Sequence, residues 1–238
     1  MNKTLARQRW LIGLSLVTLY FVWGSTFLGR KFAMDSFPPF MMAALRFLCA
    51  GGLLYGVLRL RGVPNPSVAE WRGATVVGTL LLVVGNAGVA YAEQWVATGA
   101  AALEIGSVPL WALLFSGLWG HWPHRREWLG IGLGFLGVLI LSLGGSMRAS
   151  PLGAGVLLLA AAGWAFGSVW SKRLPMPAGA MASAAQMLTA GAVLVLVSLL
   201  HGERMSATPS SKALLSMAYL VVFGSFIAYS ADLYLLRT

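Results

Sequence analysis

The stretch GAGVLLLAAAGWAFGSVW, residues 153–170, runs for eighteen residues without a charge. A helix of about 20 apolar residues, rising 1.5 Å per residue, spans the ~30 Å hydrocarbon core of a bilayer. One such run is ambiguous, but this one recurs along nearly the whole chain. Working outward from it, apolar cores lie at 11–29, 38–58, 73–92, 98–119, 128–145, 153–170, 180–200 and 213–236. The connections between them are too short to hold a soluble domain. The sequence therefore predicts an all-α fold, a polytopic membrane helical bundle with eight spans.

The composition agrees. Hydrophobic residues make up 58% of the 238 residues and charged residues 10%, against about 25% charged in a soluble protein. A net charge of +10 would suit nucleic acid, but the basic residues sit in the connections between spans, so no nucleic-acid partner is expected. With the N-terminus placed in the cytoplasm, the inner segments hold Lys3, Arg7, Arg9, Arg59, Arg61, Arg72, Arg125, Arg126, Lys172, Arg173 and Arg237. The outer ones hold Arg30, Lys31, Arg148, Arg204 and Lys212, and Arg46 lies within a span. This asymmetry predicts cytoplasmic N- and C-termini. The opening MNKTLARQRW and the run after it read as an uncleaved first helix. Asn2-Lys3-Thr4 matches a glycosylation acceptor but falls on the cytoplasmic side. The lone cysteine, Cys49, excludes an internal disulfide and a cysteine metal cluster.

The chain also repeats itself. Gly24-Ser25-Thr26 leads to Arg30-Lys31 at the end of the first span, and Gly167-Ser168 leads to Lys172-Arg173 at the end of the sixth. Met41 through Ala50-Gly51 corresponds to Met181 through Ala190-Gly191, an offset of about 140 residues. Five spans precede the second copy, and an odd number inverts it. Inverted repeats with a site between them near the midplane are a secondary-transporter architecture. The expected division is a five-helix repeat at 1–148 and an incomplete, three-helix repeat at 152–238.

Trp23-Gly24-Ser25-Thr26-Phe27, Pro38-Pro39, Arg46-Phe47 and Ala50-Gly51 resemble the first helix pair of the EamA branch of the drug/metabolite transporter superfamily. Gly85-Asn86, Ala92-Glu93-Gln94, Val108-Pro109-Leu110, Glu127-Trp128-Leu129-Gly130, Trp164-Ala165-Phe166-Gly167-Ser168 and Phe223-Gly224-Ser225 extend the likeness over the whole chain. Within that branch it resembles the YedA-type inner-membrane permeases. The resemblance implies ten helices in two inverted repeats, cytoplasmic termini in the bacterial inner membrane, and movement of metabolites, amino acids or drugs, often outward. On that count the chain ends after its eighth helix.

Several motifs have plainer readings. Gly132-Leu133-Gly134-Phe135-Leu136-Gly137 fits G-x-G-x-x-G, but it lies inside a span with no preceding strand, so Gly130 and Gly134 read as a small-residue packing surface. His121 and His124 flank Pro123, which breaks the helix that would align them for a metal. No cofactor and no metal is expected. Trp10, Trp71 and Trp128 belong to interfacial belts.

The candidates for a substrate cavity are Trp23, Ser25, Thr26, Arg46, Asn86, Glu104, Pro109, Trp164, Ser168 and Gln186. Ionisable groups within spans are costly and default to functional sites. Arg46 lies about 12 Å into the second span and Glu104 about 9–11 Å into the fourth. Both spans run inward, so the two are level. They read as a functional pair, a structural pair, or Glu104 alone in a wet cavity. Glu93 reads as an interfacial cap and Asp232 as a partner of Arg237. Trp23 and Trp164, matched in the two repeats, are expected to wall a cavity for planar or cationic solutes. Asn86, Gln186, Ser25 and Thr26 offer hydrogen bonds, and Pro109 frees backbone carbonyls in a cavity-facing segment.

The function expected is a secondary transporter of small organic metabolites or drugs, exporting by alternating access, with a solute and the lipid bilayer as partners and a homo-oligomer allowed. Nothing resembles a nucleotide-binding motif, and no acyl- or phosphoryl-transfer constellation appears, so no enzyme is expected. The alternatives are a non-transporting remnant or membrane interaction protein and, further off, a membrane-embedded enzyme.

Overall fold

A computed structural model describes residues 3–143, 150–205 and 208–228. The described residues form eight helices: α1 (Lys3–Met34), α2 (Pro39–Leu60), α3 (Val68–Ala92), α4 (Thr98–Trp119), α5 (Arg125–Leu143), α6 (Pro151–Ser171), α7 (Ala180–Leu200) and α8 (Ser211–Ile227). Of these, α2, α3, α4, α6 and α7 are long and apolar enough to cross a membrane. The all-α helical bundle read from the sequence is the fold observed.

The helix starts are chemically specified. Pro39 and Pro151 occupy first-turn positions, where the missing N–H costs nothing. Ser67 and Glu70 form a reciprocal capping box on α3, and the Ser150 and Ser210 hydroxyls accept from the backbones of Gly153 and Ala213. Gly62 and Gly202, with φ of 79° and 70°, turn the chain after α2 and α7 in a region that other residues avoid.

Small residues set the packing, as expected where lipid removes any hydrophobic drive between helices. The most extensive seam is α2 against α7. A Cβ on Gly51 would stand 2.8 Å from the Met187 Cβ and 3.0 Å from the Leu188 backbone N. A Cβ on Gly191 would stand 2.8 Å from Leu48 Cγ and 3.1 Å from the Leu48 backbone N. The contact is reciprocal, glycine to leucine backbone in both directions. Gly85 of α3 takes the Trp164 ring of α6, and Gly78 of α3 lies on the Gln186 backbone of α7. On α5, Gly134 packs on Leu110 of α4, whereas Gly130 faces open space. Of that expected small-residue surface, only Gly134 makes contact.

Three helices depart from regularity. α3 is π-helical from Thr79 to Ala87 and α8 from Val222 to Ile227. π segments recur at functional sites because the extra residue per turn re-aims side chains. α4 is interrupted between Thr98–Ile105 and Val108–Ser116. The break falls at Gly106-Ser107, so Pro109 sits in the first turn of the second segment, where a proline is tolerated, rather than at the discontinuity. Pro109 is itself exposed.

Candidate functional site

Arg46 is 1% exposed, eight residues into α2. Its Nε donates to Ser225 Oγ at 2.8 Å, Nη2 to the Gly224 carbonyl at 2.9 Å, and Nη1 approaches Asn86 Oδ1 at 3.4 Å. Asn86 and Ser225 each lie in a π segment, one on α3 and one on α8. Gly224 makes the approach possible, since a Cβ there would lie 2.9 Å from Thr26 Cγ2 and 3.2 Å from Arg46 Nη2. One guanidinium thus ties α2, α3 and α8 together at mid-span.

The sequence candidates divide around this centre. Arg46 and Asn86 meet, and Thr26 lies against Gly224 beside them. Trp23 and Trp164 touch edge to face, centroids 6.0 Å apart. The Gly-Ser hydroxyls turn back on their own helices, Ser25 to Val22 and Ser168 to Trp164, and Ser25 also meets the Tyr219 hydroxyl. Gln186 supplies its backbone to the α3–α7 contact.

Arg46 and Glu104 do not pair, although the sequence sets them at one expected level. The ion pairs among the described residues are Arg30–Glu93 and Lys212–Asp35. Depth arithmetic fixed the level of each charge but not the direction in which its helix faces. Glu104 lies in the first segment of α4, 7% exposed, with Oε2 lacking a hydrogen-bond partner. Asp232 and Arg237 lie outside the described residues.

Glu93 is more than an interfacial cap. Its side chain is 1% exposed and accepts from Arg30 Nε at 2.9 Å, while the Arg30 guanidinium lies 4.4 Å from the Phe27 ring centroid. Burial pushes the Glu93 carboxyl above the ordinary carboxylate range, against the pull of Arg30 and Lys31. Beside it is a cleft of ≈ 560 Å³, where α1 turns into α2, lined by Lys31, Asp35, Tyr91, Glu93, His201 and Glu203 among others. None of the ten sequence candidates lines this cleft. The Glu203 carboxylate accepts from the Phe40 and Met41 backbones at the α2 N-terminus and from Ser198 of α7. A carboxylate there satisfies orphan N–H groups and complements the helix dipole. Its signal was a lone acid in a loop 162 residues from its partner, which no spacing rule connects.

A helical bundle with a buried cation at mid-span and irregular helices around it defines a polytopic membrane protein with an internal polar centre. Residues 10–143 match the EamA-like transporter family, and the chain belongs to that family. It is 44% identical over 224 residues to the uncharacterized inner membrane transporter YedA of Escherichia coli K12, covering 94% of this chain and 73% of the relative. It is 28% identical over 214 residues to the uncharacterized transporter YvbV of Bacillus subtilis, covering 88% of this chain and 70% of that one. An uncharacterized transporter of Archaeoglobus fulgidus is 25% identical over 226 residues, covering 91% and 76%.

Proposed function

We propose that this membrane transporter moves a small organic solute outward across the bacterial inner membrane by alternating access, with Arg46 at the centre of the moving parts. The observation that carries the reading is the Arg46 guanidinium, buried at mid-span and bonded to both π segments. Division into inverted repeats at 1–148 and 152–238 is supported by matched contacts. Gly51 and Gly191 are 140 residues apart, as are Leu48 and Leu188, and each glycine takes the leucine of the other helix. Asn86 and Ser225 are 139 apart and share Arg46. Trp23 and Trp164 are 141 apart and touch. In such repeats the substrate site lies at the interface, and rocking of one half on the other exposes it to each side in turn.

The test replaces Arg46 by glutamine and follows retention of a panel of labelled small organic solutes in cells expressing the protein from its gene. At least one solute should leave faster, and saturably, with the wild-type protein. A charged hydrogen bond is worth roughly 1.5–3 kcal/mol, so Arg46→Gln should slow that loss by about tenfold or more at equal protein in the membrane. No saturable loss of any solute, or an indifferent Arg46→Gln, would overturn the reading.

The basic-residue asymmetry also supports a reading with both termini in the cytoplasm. A cysteine in place of Thr98, on a Cys49→Ser background, should then react with an impermeant thiol reagent from outside intact cells. Labelling only after the membrane is opened would reverse the topology.

A further inference from the structure

Among the described residues, four buried side-chain atoms have no hydrogen-bond partner: Arg30 Nη2, Glu93 Oε1, Glu104 Oε2 and Trp111 Nε1. The first two belong to one ion pair. The other two, an acceptor and a donor, lie on the two segments of α4, seven residues apart and on either side of the helix break. A buried acceptor left unmatched is costly and points to a missing partner.

Among the described residues, none provides a counter-charge for Glu104. The segment that carries it packs against α1, α5 and α6. α6 has no ionisable residue from Pro151 to Ser171. The charges at the near end of α1 are Arg30, bonded to Glu93, and Lys31, which lines the cleft. Those of α5, Arg125, Arg126 and Glu127, stand at its first turn. The neighbouring hydroxyl, Ser107, is fully buried and spends its proton on the Glu104 backbone carbonyl at 2.6 Å, not on the carboxylate. The flanking residues Ala100, Ala101 and Ile105 pack into an apolar cluster with Phe27, Leu157 and Ala160. Aromatic rings also join these helices, Phe115 of α4 meeting Phe166 of α6 with centroids 5.4 Å apart. Trp111 meets Phe115 and Phe135, with centroids 5.9 and 5.4 Å away, and the Trp23–Trp164 contact joins α1 to α6.

We propose that Glu104 anchors a cation subsite in the seam of α1, α4 and α6, taking the primary ammonium group of a small, largely apolar organic monocation. The carboxylate supplies the counter-charge, the aromatic rings supply apolar and cation–π contact, and the Trp111 N–H addresses an acceptor elsewhere on the solute. The proposal rests on the transporter reading and names a substrate class for it.

The probe is 2-phenylethylammonium, bound to the purified full chain in lipid nanodiscs and read by tryptophan fluorescence. Its neutral isostere 2-phenylethanol is the comparison. The amine should bind at least about tenfold more tightly than the alcohol, the scale of one charged contact. Glu104→Gln should erase that preference, while Glu70→Gln, in the exposed capping box, should keep it. Glu104→Asp, which retains the charge, should bind the amine if Glu104→Gln proves unfoldable. Equal binding of amine and alcohol by the wild type, or amine binding unchanged in Glu104→Gln, would overturn the subsite. The two readings fail separately. A solute carried in an Arg46-dependent way without amine binding would sink the subsite and leave transport standing. Amine binding without any carried solute would do the reverse.

Discussion

Replacing Glu93 by alanine is expected to cost about 3–5 kcal/mol of stability, the penalty for stranding a buried charge. The Arg30 side chain is 4% exposed and its partner 1% exposed, so neither can recover water when the other is removed. The pair is already imperfect. One N–H···O bond closes it, while Arg30 Nη2 and Glu93 Oε1 remain unmatched. Arginine and carboxylate commonly make two parallel bonds, and that second bond is missing here. Removing both charges should therefore be far milder than removing one. Arg30→Met with Glu93→Leu should unfold within a few degrees of the wild type in detergent, whereas Glu93→Ala alone should lose most of its folded population. Additive losses from the two single replacements would show that the pair does not behave as a unit.

The same pair shows where sequence reading reached its limit. The eight helices were legible because hydrocarbon thickness imposes a run length that few soluble helices share, and five of them are long and apolar enough to cross a membrane. The ends were less so. The first apolar core was read as 11–29, yet α1 runs from Lys3 to Met34, carrying Arg30 and Lys31 inside the helix. Hydropathy marks the apolar layer, not where the hydrogen bonds stop. Charges at such ends default to an interfacial reading, and so Glu93 passed for a cap. Its partner is 63 residues away on another helix, a contact that depends on how α1 and α3 are rotated.

Arg46 and Asn86 were legible as polar groups placed where lipid penalises them. Their union with Ser225 was not, because it requires the π segments of α3 and α8. One extra residue in a turn leaves no compositional trace. The break in α4 was half legible. Pro109 announced a discontinuity, but the helix gives way earlier, at Gly106-Ser107, where the chain lacks a side chain and then spends a hydroxyl on its own backbone. Trp23 and Trp164, matched by position alone, do meet in space.

The α2–α7 seam supports the second large prediction. Alanine normally stabilises a helix by about 1 kcal/mol relative to glycine. At Gly51 the sign should reverse, because the new Cβ meets the Met187 Cβ at 2.8 Å and the Leu188 backbone N at 3.0 Å. A backbone atom cannot rotate away as a side-chain tip does, so the helices must part, at about 1–3 kcal/mol for an overpacked contact. Gly191→Ala should behave alike through Leu48. Gly52→Ala and Gly56→Ala, on the same helix with nothing within 4 Å, should be neutral or stabilising. The double variant Gly51→Ala with Gly191→Ala should cost less than the sum, since a seam already opened by one methyl admits the second more cheaply. Thermal unfolding of the four single variants and the double in detergent would decide it. A stabilised Gly51→Ala would mean that α2 and α7 stand further apart than the reciprocal contact requires, and the support that contact lends to an inverted repeat would go with it.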